Sequence, residues 1–186
     1  MNRKLILVGG YCATGKSTFA RKLSARLGWP CLDKDTLKEV VADSLEPIPH
    51  EYSAPLSGTA TRLLMHAAAR SFAAGQPLIL ESNFRPHEIE ELGALAREHA
   101  YAVMTFVFTA DLRVVYERYR AREGTPERHW VHKSVRGESF EDFVRGHTPF
   151  GEIALGQVVR ADMTSFEHAD YPALFAAAED FAGQEG

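Results

Sequence analysis

The sequence predicts an α/β fold of three layers, α/β/α, with a five-stranded parallel sheet at its centre. Three observations point to it. Leu5–Val8, Pro77–Leu80 and Tyr101–Phe108 are short, continuous apolar runs of the kind that form strands buried on both faces. Stretches with apolar residues at helical spacing separate them, and this alternation implies right-handed β-α-β crossovers. At 186 residues and 45% hydrophobic, the chain is long and apolar enough for one domain spanning 1–186 with a good-sized core.

The first strand, Leu5–Val8, runs into Gly10-Tyr11-Cys12-Ala13-Thr14-Gly15-Lys16-Ser17 and then Thr18, which fits G-x-x-x-x-G-K-[ST]. Phe19, Ala20, Leu23 and Leu27 follow at helical spacing, and Gly28 ends that helix. Strand, glycine loop and helix are in the order a phosphate-binding loop requires. Gly10 and Gly15 let the backbone curl so that the N–H groups around Ala13 and Thr14 face a phosphate. The helix N-terminus adds partial positive charge there. Lys16 can reach the β- and γ-phosphates, and the Ser17 hydroxyl can ligate Mg²⁺. The fold class is therefore that of a P-loop NTPase, with ATP and Mg²⁺ as its expected small-molecule requirements.

Trp29–Leu32 reads as the second strand, ending at Asp33-Lys34-Asp35-Thr36, with a helix from about Thr36 to Leu45. Either aspartate could cap that helix. Either could also stand at the carboxyl edge of the sheet, where a carboxylate near the γ-phosphate accepts a proton from an attacking hydroxyl. Pro47–Pro55 reads as a loop, and Ser57–Ala74 as a helix with Ala60, Leu63, Leu64, Ala67 and Ser71 inward. The third strand ends at Glu81. This residue is either a plain acid leaving a strand or the second carboxylate beside the first strand, holding hydrated Mg²⁺ together with Ser17. Arg85 precedes Pro86, a comfortable first helical residue, and either caps that helix or projects into the cleft.

Beyond the fourth strand, Tyr101–Phe108, a helix from Asp111 to Arg122 carries Arg118 and Arg122 on one face. The polar stretch after it is rich in turn residues, and basic residues outnumber acidic ones there. Solvated helix surface would explain any single arginine; together they suit an arginine-rich lid over 118–136 that closes on polyphosphate. His129 and His132 have the spacing of a metal pair but no further ligand nearby, so they read as lid or substrate contacts. A short helix near Phe140–Val144, a fifth strand Gln157–Asp162 and a last helix Pro172–Phe181 complete the chain.

The formal net charge of −4 and pI near 6.1 argue against tight, indiscriminate nucleic-acid binding, while leaving a 5′ end open as a substrate. Two cysteines without zinc-type spacing point to a reduced, cytoplasmic setting. The N-terminal apolar run is too short for a signal peptide, and no stretch approaches the length of a membrane span.

Taken together, the Gly10–Thr18 loop, Leu32–Lys38, Glu81–Arg85 and the Arg118–His132 stretch resemble the P-loop kinase branch of zeta-toxin-like kinases, polynucleotide 5′-kinases and chloramphenicol-phosphotransferase-like enzymes. The resemblance implies that Asp35 is the catalytic base with Asp33 in support, that Arg85 contacts substrate, and that Arg118 and Arg122 neutralise the transferring phosphoryl. It departs from the pattern at Glu81, where many such enzymes carry aspartate. It departs again at His129-Trp130-Val131-His132, where close bacterial relatives carry His-Pro-Gly-His. The implied activity is ATP-dependent transfer to a hydroxyl of a small molecule; the alternatives are a polynucleotide 5′-hydroxyl kinase or an ATP-binding switch with slow hydrolysis.

Overall fold

A computed structural model describes residues 3–45, 49–126, 128–133, 139–147 and 153–184. The centre of the proline-rich loop at 46–48, Glu127, the lid residues 134–136 and the loop at 148–151 lie outside them.

Five strands, β1 (Lys4–Gly10), β2 (Cys31–Asp33), β3 (Leu78–Glu81), β4 (Ala102–Thr109) and β5 (Gln157–Asp162), form one all-parallel sheet in the order β2-β3-β1-β4-β5. Seven α-helices are described: α1 (Lys16–Leu27), α2 (Lys34–Asp43), α3 (Ser53–Ala73), α4 (Pro86–Glu98), α5 (Leu112–Glu123), α6 (Phe140–His147) and α7 (Tyr171–Gly183).

The period-2 alternation of β1 divides the core. Leu5 and Leu7 face α3 and α4 through Leu64, Phe72, Ile89 and Leu92, while Ile6 and Val8 face α1 and α7 through Phe19, Leu23, Phe175 and Phe181. All four of these β1 side chains are fully buried, which is why the run carries no polar alternation. Phe19 stacks on Phe175 and tilts against Phe106 and Phe108, so the helix that follows the glycine loop is anchored through Phe19 by three further aromatic rings. Burial of that extent fixes the N-terminus of α1 against the carboxyl ends of the strands.

Two elements differ from expectation. Helix α2 begins two residues earlier than the sequence suggests, because Asp33 caps it: its carboxylate accepts from Thr36 N–H at 2.7 Å and Thr36 O–H at 2.6 Å. Helix α3 begins at Ser53, since Pro55 in a first turn removes no hydrogen bond the helix would make. Its buried face runs through Leu56, Ala60, Leu64, Ala68 and Phe72, leaving Leu63 exposed.

Candidate active site

The glycine loop joins β1 to α1 under backbone constraint. Gly10 has φ 116°, and a Cβ there would lie 2.0 Å from the Phe108 carbonyl oxygen, so no other residue fits. Tyr11 N–H donates to that same carbonyl at 2.9 Å. The Tyr11 carbonyl in turn accepts from Thr14 O–H at 2.7 Å and from Lys16 Nζ at 2.5 Å. Ala13, at φ 56°, and Gly15, at φ 83°, complete the curl.

Lys16 is buried, and burial pulls its amine below the ordinary lysine range against the opposing field of Glu81. Glu81 is the last residue of β3 and is 5% exposed. Its Oε2 accepts from Ser17 O–H at 2.9 Å, and Oε1 lies 4.0 Å from Lys16 Nζ. Burial pushes its carboxyl up, and Lys16 only partly offsets this. In register, Val8 and Asp33 flank Glu81 on either side, so β2 and β3 end level with each other beside β1.

These groups form the floor of a cavity of about 410 Å³. Ala13, Thr14, Gly15, Lys16, Ser17, Thr18 and Glu81 line it from the loop, α1 and β3, together with Asp35, Lys38, Arg122, Arg128 and His132 from α2, α5 and the segment after α5. Asp35, in the first turn of α2, has a side chain 59% exposed into this space, with Lys34 Nζ 3.6 Å from its Oδ1. Its recessed position raises the carboxyl, but the combined field of Lys34, Lys16 and Lys38 outweighs that and holds it below the ordinary value. Asp35 is therefore ionised at neutral pH. Cys12 also lines the cavity, and burial pushes its thiol up, away from the reactive thiolate form, despite Lys16 and the arginines.

Part of the wall is held by the segment after α5. Val131 is fully buried against Ala42 and Leu56. Its carbonyl accepts from Ser53 O–H at 2.8 Å and from the buried Lys38 at 3.3 Å, and Lys38 also donates to Ser53 Oγ at 2.7 Å. Arg128 donates to the His132 carbonyl at 2.9 Å and to Glu123 at 3.3 Å. His129 Nδ1 accepts from Val131 N–H, which places the proton on Nε2, 3.0 Å from Asp43. His132 Nε2 is 3.1 Å from Glu39 Oε1 but off the line of a hydrogen bond. Burial drives its imidazole down to about 4, so it is neutral and makes no full ion pair with Glu39.

The candidate residues thus separate. Asp35, Lys16, Ser17 and Arg122 meet in one cavity. Asp33 caps α2 through Thr36 and is absent from that cavity's lining, but it meets Ser17, Asp35 and Arg122 in an adjoining cavity of about 320 Å³. Arg118 sits on the same helix face as Arg122 but turns to the segment after β5, donating to Met163 O at 2.7 Å and Thr164 O at 2.9 Å, with its guanidinium 3.8 Å from the Phe166 ring. It is not among the residues lining the 410 Å³ cavity. Arg85 occupies the N-cap position of α4, where its backbone N–H donates to Glu88 Oε2 at 2.8 Å. It lines a second cavity of about 360 Å³ that shares Lys34, Ser57 and Asn83 with the first.

Sequence reading passed over Arg21, Lys34 and Lys38 as cavity residues. Their spacing was the available signal: Arg21 lies one turn after Ser17, and Lys38 three residues after Asp35, so each shares a helix face with a residue already singled out.

No group of three or more His, Cys, Asp or Glu side chains among the described residues could cage a metal, and no described helix is long and apolar enough to cross a membrane. No curated protein matches the sequence. Among solved structures, the fold is similar over 97% of this chain and 98% of the other to a candidate kinase from Chloroflexus aurantiacus, at 32% identity and TM-score 0.82. It is also similar to the Mycobacterium tuberculosis APS kinase solved with AMPPNP and APS (13% identity, 98% and 99% covered, TM-score 0.60). A gluconokinase from Sinorhizobium meliloti shares the architecture as well (16%, 98% and 99%, TM-score 0.52). The AAA domain family matches residues 5–147, well over half of the sequence, and the chain belongs to that family, with a P-loop kinase-like fold.

Proposed function

We propose that the protein is a cytoplasmic ATP-dependent phosphotransferase that moves the γ-phosphoryl group to a hydroxyl of a small molecule. The observation that carries this reading is the carboxylate of Asp35 lining one cavity with Lys16, Ser17 and Arg122. A nucleotide switch needs no such base.

In this reading the loop amides from Ala13 to Thr18 and Lys16 hold the triphosphate. Lys16 exchanges the Tyr11 carbonyl for a phosphate oxygen, a stronger acceptor for a cation. The acceptor oxygen forms a bond to the γ-phosphorus as the bond to the β–γ bridging oxygen breaks, and the hydroxyl proton passes to Asp35. Lys34, Lys16 and Lys38 keep that carboxylate charged until the proton arrives. Arg122 and Arg128, from α5 and the segment after it, stabilise the charge that spreads over the transferring group, which is the work of a lid.

The residues present fit Mg²⁺. Ser17 and Glu81 offer hard oxygens, and the buried Glu81 carboxyl, pushed up where it stands, would be relieved by a dication. Two protein oxygens suffice for an ion that takes the rest of its shell from water and phosphate. When bound there, Mg²⁺ neutralises charge on the β- and γ-phosphates.

The resemblance to zeta-toxin-like and chloramphenicol-phosphotransferase-like kinases belongs to this proposal. Asp35→Asn tests it in an ADP-release assay against antibiotics, nucleosides, nucleotide sugars, sugars and 5′-hydroxyl oligonucleotides. Acceptor-dependent turnover should fall by about 10²–10⁴-fold while nucleotide affinity holds. Near wild-type turnover would remove Asp35 as the base. ATP hydrolysis indifferent to every acceptor would favour the switch.

A further inference from the structure

The second cavity has a character of its own. About 360 Å³ in volume, it opens from the phosphate site through Lys34, Ser57 and Asn83 and is bounded by α3 and the β3–α4 turn. Its cationic side chains are Lys34, Arg62 and Arg85, each from a different element. Its one carboxylate, Glu88, is buried and committed to the α4 cap through Arg85 N–H. The first turn of α4 faces the same space and adds partial positive charge. Phe84, 2% exposed at φ 27°, turns the chain here, an uncommon backbone for a bulky side chain and one that tertiary packing must hold. With Lys34 beside Asp35, the two arginines still outnumber the one acid lining this cavity, a local reversal of sign in a protein of net charge −4.

Resting on the phosphotransferase reading above, we infer that this cavity takes the acceptor, and that the acceptor is a small hydroxyl compound carrying an anionic group, a carboxylate or a phosphate. The anion sits between Arg62, Arg85 and the α4 N-terminus, and the hydroxyl points through the shared wall toward Asp35. Hydroxyl and amide groups at Ser57, Thr61 and Asn83 suit the remaining polar surface of such a compound. Arginine favours planar oxyanions, and recognition at two points leaves the far end of the molecule free to react.

The test uses matched pairs differing only in the anion: glycerate against glycerol, gluconate against glucitol, ribose 5-phosphate against ribose. Direct binding is read by calorimetry on protein saturated with a non-hydrolysable ATP analogue, and transfer by ADP release. Anionic members should bind at least tenfold more tightly than their neutral partners. Arg62→Gln and Arg85→Gln should each weaken that binding about 10–100-fold and act on the acceptor KM rather than kcat; Arg70→Gln, on the same helix outside the cavity, should not. Preference for carboxylates or for the phosphate separates the two sources. Equal binding within every pair, no binding by any anionic member, or anion binding untouched by both substitutions overturns the inference. Because binding is measured without transfer, anion recognition that survives with no phosphoryl transfer would sink the kinase reading and leave the anion site standing.

Discussion

The floor and the far wall of the phosphate cavity hold their charges in opposite ways. On the floor, Lys16, Glu81 and Thr14 are buried and tied to backbone or to each other within one strand–loop–helix unit and its neighbouring strand. On the far wall, Arg122 stands exposed and the segment carrying Arg128 and His132 is docked on α2 and α3 by Val131, Lys38 and Ser53, contacts separated by 78 to 93 residues in sequence. The floor is built by local backbone geometry. The wall is docked from a distant part of the chain through one buried valine and a few polar contacts.

This contrast can be broken most severely at the floor. Gly10→Ala forces a Cβ to 2.0 Å from the Phe108 carbonyl at a φ that alanine resists, so the loss of stability should be about 4 kcal/mol or more, read by denaturant or thermal unfolding. An unchanged unfolding midpoint would show that the loop is not locked as described. Lys16→Ala should cost about 10²–10³-fold in transfer and weaken nucleotide binding, with little effect on the fold, measured by ADP release and calorimetry.

Arg118 and Arg122 sharpen the comparison, since one helix face supplies both walls of a different kind. Arg122→Gln should lower kcat about a hundredfold and leave unfolding unchanged. Arg118→Gln should cost about 1–3 kcal/mol of stability, because two carbonyl acceptors and the Phe166 ring lose their partner. Identical kinetic phenotypes would erase the distinction between them.

The smallest effect belongs to pH. His132 is held near 4 in the fold against an ordinary 6.5, so between those values the unfolded chain binds the extra proton. Stability from this group is complete above about 6.5 and is lost as pH falls toward 4. His132→Gln should flatten that slope in a series of thermal unfolding curves, and should leave no inflection near 6.5 to be removed from the pH–rate profile.

Much of this was legible in the residues. The loop from Gly10 to Ser17 announces its conformation because glycines, a lysine and a hydroxyl at fixed spacing have few other uses, and Leu5–Val8 reads as a doubly buried strand from its unbroken apolar run. Asp33 and Asp35 were less distinct: two acids two apart can both cap and both face the cleft. Only the helix start decided between them, turning Asp33 back on Thr36 and Asp35 outward. Arg118 and Arg122 share a face by arithmetic, yet the packing of the β5 exit against α5 captured one and left the other.

Local chemistry alone therefore determined the parallel α/β order, the phosphate loop and the acidic ends of β2 and β3, since these depend on period, φ and spacing within a few residues. Tertiary structure alone decided which carboxylate caps a helix and which opens into the cavity, which arginine reaches it, and where Lys38 and Val131 seat the wall. Those outcomes depend on burial and on fields from residues far apart in sequence, and neither quantity exists until the chain has folded.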